Sequence, residues 1–147
     1  MALYKAETYR VEDSVGFMIV RVRAAIFAAV DREVLPWGVS SAQAAILIYI
    51  AHGRGNRAAD LARDYSYDTG SMTRMIDRLV AKGLLRRVRD AEDRRAIRLE
   101  LTAKGRKLTD RLPAVAARAL NGLLRGFTRA ELDQLKGLLG RMLENAG

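Results

Sequence analysis

A chain of 147 residues, half of them hydrophobic, has the length and apolar content of one domain with a real core. It holds no cysteine and a single histidine, His52, which excludes disulfides, thiol redox chemistry, a cysteine nucleophile and a multi-histidine metal site. Lys and Arg number 26 against 17 Asp and Glu, and the resulting net charge of +9 favours a polyanionic partner, either nucleic acid or an anionic membrane surface, over a merely soluble basic exterior.

Residues 1–7 lack an apolar signal core, and the longest apolar run, residues 44–51, is far short of the ~20 residues that a membrane span needs. The expectation is a cytoplasmic protein with no membrane partner. Apolar residues at Val15, Phe17, Met18, Ile19, Val22, Ile26 and Val30 recur at helical spacing, and predict a long helix over 11–35 ended by Pro36-Trp37-Gly38. Ser40-Ser41-Ala42-Gln43 is a capping-box pattern, and it starts a second helix closed by Gly53 and Gly55. Asn56 is the expected cap of a short third helix with Leu61 and Tyr65. Ser66-Tyr67-Asp68 reads as a turn, with Asp68 capping a helix over 69–82. Met72, Met75, Ile76, Leu79 and Val80 form its apolar stripe, and Gly83 stops it.

A β-hairpin follows. Residues 84–89 and 96–101 read as strands around a charged tip at 90–95, with Ile97, Leu99 and Leu101 expected to point inward. Thr102 is a good cap for one long helix running to about Leu124, with Pro113 inside it and a kink expected there. Thr128-Arg129-Ala130-Glu131 is a second capping box, and it opens a last helix.

The charge is not spread evenly. Residues 74–111 carry 13 Lys and Arg against 6 Asp and Glu, a net of +7, so a quarter of the chain holds most of the surplus. Helix, turn, helix, strand, charged tip, strand is the order of a winged helix-turn-helix. The fold class predicted is mainly α, with a small antiparallel hairpin as the wing. The helix over 69–82 would present Thr69, Gly70, Ser71, Thr73, Arg74 and Arg78 to a major groove. Its small early residues let the helix N-terminus approach phosphates and base edges. Arg74 has the planar fork that pairs with guanine O6 and N7, and Arg78 suits a phosphate or a neighbour of Asp77. At the tip, Arg95 is the residue expected in the narrow minor groove and Arg94 on the backbone. Asp93, repelled by DNA, is expected to hold the tip. Gln43 joins this DNA-facing set. An ordinary solvated helix face and a solvated charged turn are the competing readings of these residues.

The run from Asp68 to Arg87, then Asp93-Arg94-Arg95, then Leu101-Thr102-Ala103-Lys104-Gly105, resembles the signature of the MarR family (multiple antibiotic resistance regulators). The combined spacing is specific, and the flanking helices extend the resemblance over nearly the whole chain. One departure is Ser66, where many such turns carry glycine. The resemblance implies a single domain over 1–147, with a DNA-binding lobe at 36–101 and dimerisation helices at 11–35 and 102–147. It implies a homodimer on a pseudo-palindrome with half-sites ~34–36 Å apart. Ile19, Leu132, Leu135, Leu138, Leu139 and Met142 are the apolar supply for that interface, although such stripes can also close a monomer core.

The resemblance further implies a regulator, most often a repressor, released from its operator by a small aromatic acid or phenol. Arg21 and Arg23 with Trp37, Tyr49 and His52 are the candidates to hold that ligand, against a plain reading as core and surface residues. The competing function is a nonspecific or architectural nucleic-acid-binding winged helix. An enzyme is not expected, because the chain lacks a metal cluster, a Gly-rich phosphate loop and a nucleophile with its base. No cofactor is expected either.

Overall fold

Seven helices and one two-stranded antiparallel sheet follow one another in a computed structural model that describes all 147 residues. They are α1 (Val15–Val34), α2 (Ser41–Ala51), α3 (Ala58–Tyr65), α4 (Thr69–Ala81), β1 (Leu85–Arg89), β2 (Ile97–Leu101), α5 (Ala103–Thr109), α6 (Leu112–Leu123) and α7 (Arg129–Ala146). The arrangement is mainly helical with one hairpin, as the residue pattern predicts.

Local chemistry explains most boundaries. Residues 11–13 are not the start of α1 but a separate 3₁₀ turn. Ser14 is the reason: its hydroxyl donates to the Val11 carbonyl at 2.8 Å and accepts from the Phe17 N–H at 3.2 Å, so the helix begins after it. A second 3₁₀ turn, Leu35–Trp37, and the left-handed Gly38 then redirect the chain into α2. The Ser40–Gln43 capping box forms as the sequence predicts. Asn56 does not cap α3. Arg57 occupies the cap position and Asp60 Oδ2 accepts its backbone N–H at 3.2 Å. The Asn56 carbonyl is engaged elsewhere, accepting from the Leu99 N–H at 2.6 Å and so joining the α2–α3 loop to the edge of β2.

Ser66 is the one non-glycine residue with positive φ, at 55°, and it closes α3. A side chain in that left-handed region costs about 1 kcal/mol. The chain reverses there in three residues and starts α4 on Asp68, whose side chain accepts from the Ser71 N–H at 2.8 Å. The turn geometry therefore survives the absence of glycine.

In the hairpin, Leu85 pairs with Leu101, Arg87 with Leu99 and Arg89 with Ile97. Leu85, Leu99 and Leu101 are buried. Ile97 is 53% exposed, contrary to the alternation pattern. It lies at the far end of β2, where the hairpin has left the core.

The long helix predicted after Thr102 is two helices. Pro113 has no N–H to donate to the Thr109 carbonyl, and its ring would collide with that group. The chain turns at 110–111, and Pro113 falls in the first turn of α6, where no such bond is required.

One cluster of buried side chains centres on Ile46, Leu47, Leu61, Met72, Ile76 and Leu79 and extends to Leu112 and Val115 of α6. Two helices barely share in it. Val34 is the only buried residue of α1, and α7 has none. No single helix is long and apolar enough to cross a membrane.

Candidate nucleic-acid interface

The buried stripe of α4 decides what its other face presents. With Met72, Ile76 and Leu79 in the core, Thr69, Gly70, Thr73, Arg74, Asp77 and Arg78 are exposed, and Ser71 is half-buried. A short network orders the start of this helix. The Ser71 hydroxyl donates to Asp68 Oδ2 at 2.6 Å, and Arg74 Nη2 donates to Ser71 Oγ at 3.1 Å. The hydroxyl and then the backbone N–H of Ser71 hold the Asp68 carboxyl below the usual carboxylate range. Thr73 Oγ1 donates to the Thr69 carbonyl at 2.8 Å. Gly70 sits beside this network: a β-carbon there would stand 3.3 Å from Asp68 Oδ1 and 3.4 Å from Arg74 Nη1.

The acidic residue on this face is neutralised from the hairpin. Arg87 of β1 donates to Asp77, so Asp77 pairs with the wing strand and not with Arg78. The Arg78 side chain is exposed and has no hydrogen bond or ion pair. The rest of the hairpin sorts its arginines in the same way. Arg86 and Arg98 both grip Glu100, at 2.7 and 2.8 Å, and hold its carboxyl low. Arg89, Arg94 and Arg95 have exposed side chains without ion-pair partners.

The tip is built by acids. Asp93 Oδ1 accepts from the Arg95 N–H at 3.0 Å, and its carbonyl accepts from the Ala96 N–H at 3.0 Å. Both contacts lie within the tip itself. Asp90 closes the base of the tip. It accepts from the Glu92 N–H at 3.0 Å and from Arg57 Nη2 at 2.8 Å, and these two contacts keep its carboxyl low. Sequence reasoning missed Arg57 and Arg89. The strand pattern over 84–89 offered a signal for Arg89, while Arg57 meets Asp90 only through the fold.

Gln43 does not stand on this face. It is 6% exposed, and its Oε1 accepts from the Ser40 N–H at 3.1 Å and from Lys82 Nζ at 2.9 Å. Both acceptor positions are thereby filled by the protein itself.

The five ligand candidates do not form one site. Tyr49 and His52 line a shallow pocket with Arg54, Asp64 and Tyr65. Tyr49 is buried and donates its hydroxyl to Asp64. Trp37 lies elsewhere, with the Arg111 guanidinium 3.7 Å from its ring centre. Arg21 sits over Phe17 on α1. Arg23 stacks 4.3 Å over Phe27 and donates to the Tyr67 hydroxyl at 3.2 Å. Phe27 itself lines a different space, an apolar cleft of about 140 Å³ between α1, α2 and α6, with Ile26, Val30, Ala44, Ile48 and Leu112 on its walls.

Of the residues expected at a subunit interface, Ile19, Leu135, Leu138, Leu139 and Met142 are between 38 and 49% exposed, and Leu132 is half-buried. Phe17, Met18, Val22, Leu120 and Phe127 add to the uncovered apolar surface. No group of three or more His, Cys, Asp or Glu side chains is placed to hold a metal ion.

Comparison with known proteins agrees with this geometry. A model described as the MarR family matches residues 39–97, which run from two residues before α2 to the first residue of β2. The solved transcriptional regulator PA3341 is 30% identical, with a TM-score of 0.82 over 90% of this chain and 98% of its own. A MarR transcriptional regulator from Methanosarcina mazei Go1 is 27% identical, with a TM-score of 0.81 over 90% of this chain and 95% of its own. A mutant MarR from E. coli, solved in complex with operator DNA, is 26% identical, with a TM-score of 0.79 over 88% of this chain and 93% of its own. The chain belongs to the MarR family of winged-helix, DNA-binding transcription regulators.

Proposed function

We propose that this chain is a sequence-specific repressor that binds a pseudo-palindromic operator as a homodimer and leaves it when a small aromatic acid binds. The observation that supports this reading most is the sorting of the arginines. Arg86, Arg87 and Arg98 are bound to Glu100 and Asp77, while Arg78, Arg89, Arg94 and Arg95 stand free on α4, the outer end of β1 and the wing tip. A merely solvated basic surface has no reason to separate them by position. In this reading residues 36–101 are the DNA lobe. Arg74, swung from Ser71, reads a guanine edge. Thr69, Gly70, Ser71 and Thr73 bring the helix start close to the groove, and Arg78 and Arg94 meet phosphates. Arg95 enters the minor groove, and Asp93 acts indirectly by shaping the tip. Gln43 is left out of the contact set.

Residues 11–35 and 102–147 form the dimer. The exposed apolar side chains of α1, α6 and α7 call for a cover, and a second copy of the chain supplies it in a self-complementary way. For the effector, the cleft beside Phe27 is the best-supported place. Its volume matches an apolar cavity that holds one benzene ring, about 150 Å³. Arg23, stacked on the Phe27 ring of its wall, is the cation proposed to meet the ligand's carboxylate.

Footprinting on the promoter next to the protein's own gene tests the reading. A protected pseudo-palindrome is expected. Arg74→Ala should relax base discrimination by about 10–100-fold, and Arg95→Ala should weaken binding. Equal protection of all sequences contradicts the proposal and leaves an architectural winged helix. In the same assay benzoate-type acids should release the operator, and Arg23→Ala should abolish that release.

A further inference from the structure

The amide of Gln43 and the ammonium of Lys82 meet 39 residues apart in sequence, and no DNA contact accounts for them. Gln43 is in the first turn of α2 and is buried. Lys82 is the C-terminal cap residue of α4. Lys82 Nζ donates to Gln43 Oε1 at 2.9 Å and to the Gly38 carbonyl at 2.5 Å. Gly38 is the left-handed residue that ends the turn after α1. One ammonium therefore ties the end of the recognition helix to the start of α2 and to the hinge before it. Its charge also lies where the negative end of the α4 dipole favours a cation.

The anchor at the other side of the contact is firm. The Ser41 N–H donates to Asp31 Oδ1 of α1 at 2.6 Å, so the first turn of α2 is itself fixed on α1. Behind Lys82, Lys104 Nζ donates to the Lys82 carbonyl at 3.0 Å and closes the last turn of α4 from α5. Apolar packing of Met72, Ile76 and Leu79 sets the depth of α4, but it is non-directional and constrains tilt weakly. Directional bonds at one end of a helix supply that constraint, and a 13-residue helix spans about 20 Å, so a small rotation at residue 82 is amplified at Thr69.

We propose that Gln43 and Lys82 are paired positioning residues that set the angle of the recognition helix, and that this is how Gln43 serves DNA recognition. The proposal rests on α4 being the base-reading helix. It requires that breaking the pair costs discrimination between sequences more than it costs binding to DNA as such.

Four variants of the full chain test this: Lys82→Met, Gln43→Leu, the double variant and Gln43→Glu. Affinity is measured for a footprinted operator duplex and for a shuffled duplex over a range of salt. Each single loss should reduce the operator-to-shuffled ratio about tenfold, and the double variant should be no worse than the worse single one. Gln43→Glu keeps an acceptor for both Ser40 and Lys82 and should restore the ratio. A lost phosphate contact at Lys82 would instead lower the log–log salt slope by about 0.9, whereas a lost positioning bond leaves the slope unchanged. Lys82→Met with the reduced slope, beside a Gln43→Leu that discriminates like the wild type, overturns the proposal. Wild-type protein that fails to prefer the operator overturns both this proposal and the base-reading role of α4. Variants that discriminate like a discriminating wild type overturn this one alone.

Discussion

Arg57, at the start of α3, donates its Nη2 to Asp90 Oδ2 at 2.8 Å across 33 residues of sequence. Together with the bond from the Leu99 N–H to the Asn56 carbonyl, it fastens the wing to the helix-turn-helix. The two parts of the DNA reader are thereby held in one geometry. Arg57→Ala should leave thermal stability nearly unchanged, because its side chain is about half exposed and such pairs are weak. Operator affinity should fall by no more than about fivefold. Loss of wing-dependent minor-groove protection in a footprint checks this, and an unchanged footprint counts against the strap.

The same carboxyl sets a pH dependence. The Glu92 N–H, then Arg57, lower the Asp90 value in the folded chain. The unfolded chain therefore binds this proton first as pH falls. The contribution of Asp90 is complete above the ordinary Asp value of about 4 and is lost as pH drops through the lower, folded value. Wing amide protection followed by NMR should persist through pH 4 and decline only below it. Asp90→Asn should remove that low-pH step, and a wing that loosens near pH 6 would contradict the assignment.

Gly105 is where α5 crosses the backbone of Leu84. A β-carbon there would stand 2.0 Å from the Leu84 carbonyl oxygen. The crossing is fixed by Thr102, whose Oγ1 donates to the Gly83 carbonyl at 2.5 Å and accepts from the Gly105 N–H at 3.0 Å. Gly105→Ala should cost about 2–3 kcal/mol, read as a fall in Tm of about 5–10 °C. A Tm within 1 °C of wild type would show that the crossing relaxes freely.

Leu138 lies near the middle of the uncovered face of α7 and is 49% exposed. In a two-fold interface a substitution is counted twice, and each buried leucine contributes about 1.5–3 kcal/mol. Leu138→Asp should weaken dimerisation by at least about 100-fold while leaving the lobe folded. Sedimentation would then report a monomer with native helix content. A dimer of wild-type strength would place the interface elsewhere.

Local signals were legible wherever the chemistry is local. The Ser40–Gln43 and Thr128–Glu131 capping boxes, the Asp68 cap, the Gly83 stop and the stripe of Met72, Ile76 and Leu79 depend on residues a turn or two apart, and all form. The errors lie where a distant group intervenes. Asn56 fails as a cap because Leu99 needs its carbonyl, and Gln43 leaves the DNA face because Lys82 and Ser40 fill its oxygen. Pro113 was visible, but whether a proline kinks a helix or starts a new one depends on whether the carbonyl four residues back has another partner. The ligand set was the least legible. Residue type marks Trp37, Tyr49, His52, Arg21 and Arg23 as suitable, yet only the fold shows Trp37 under Arg111 and Tyr49 bound to Asp64.

The most direct measurement is a titration of wild-type protein into a labelled duplex from the promoter beside its own gene and into a shuffled duplex of equal length, at two salt concentrations. A base-reading dimer should prefer the promoter duplex by about 10³-fold or more, with affinity for both falling steeply as salt rises. Equal affinity for the two duplexes at both salt concentrations would contradict sequence-specific recognition by α4 and the wing.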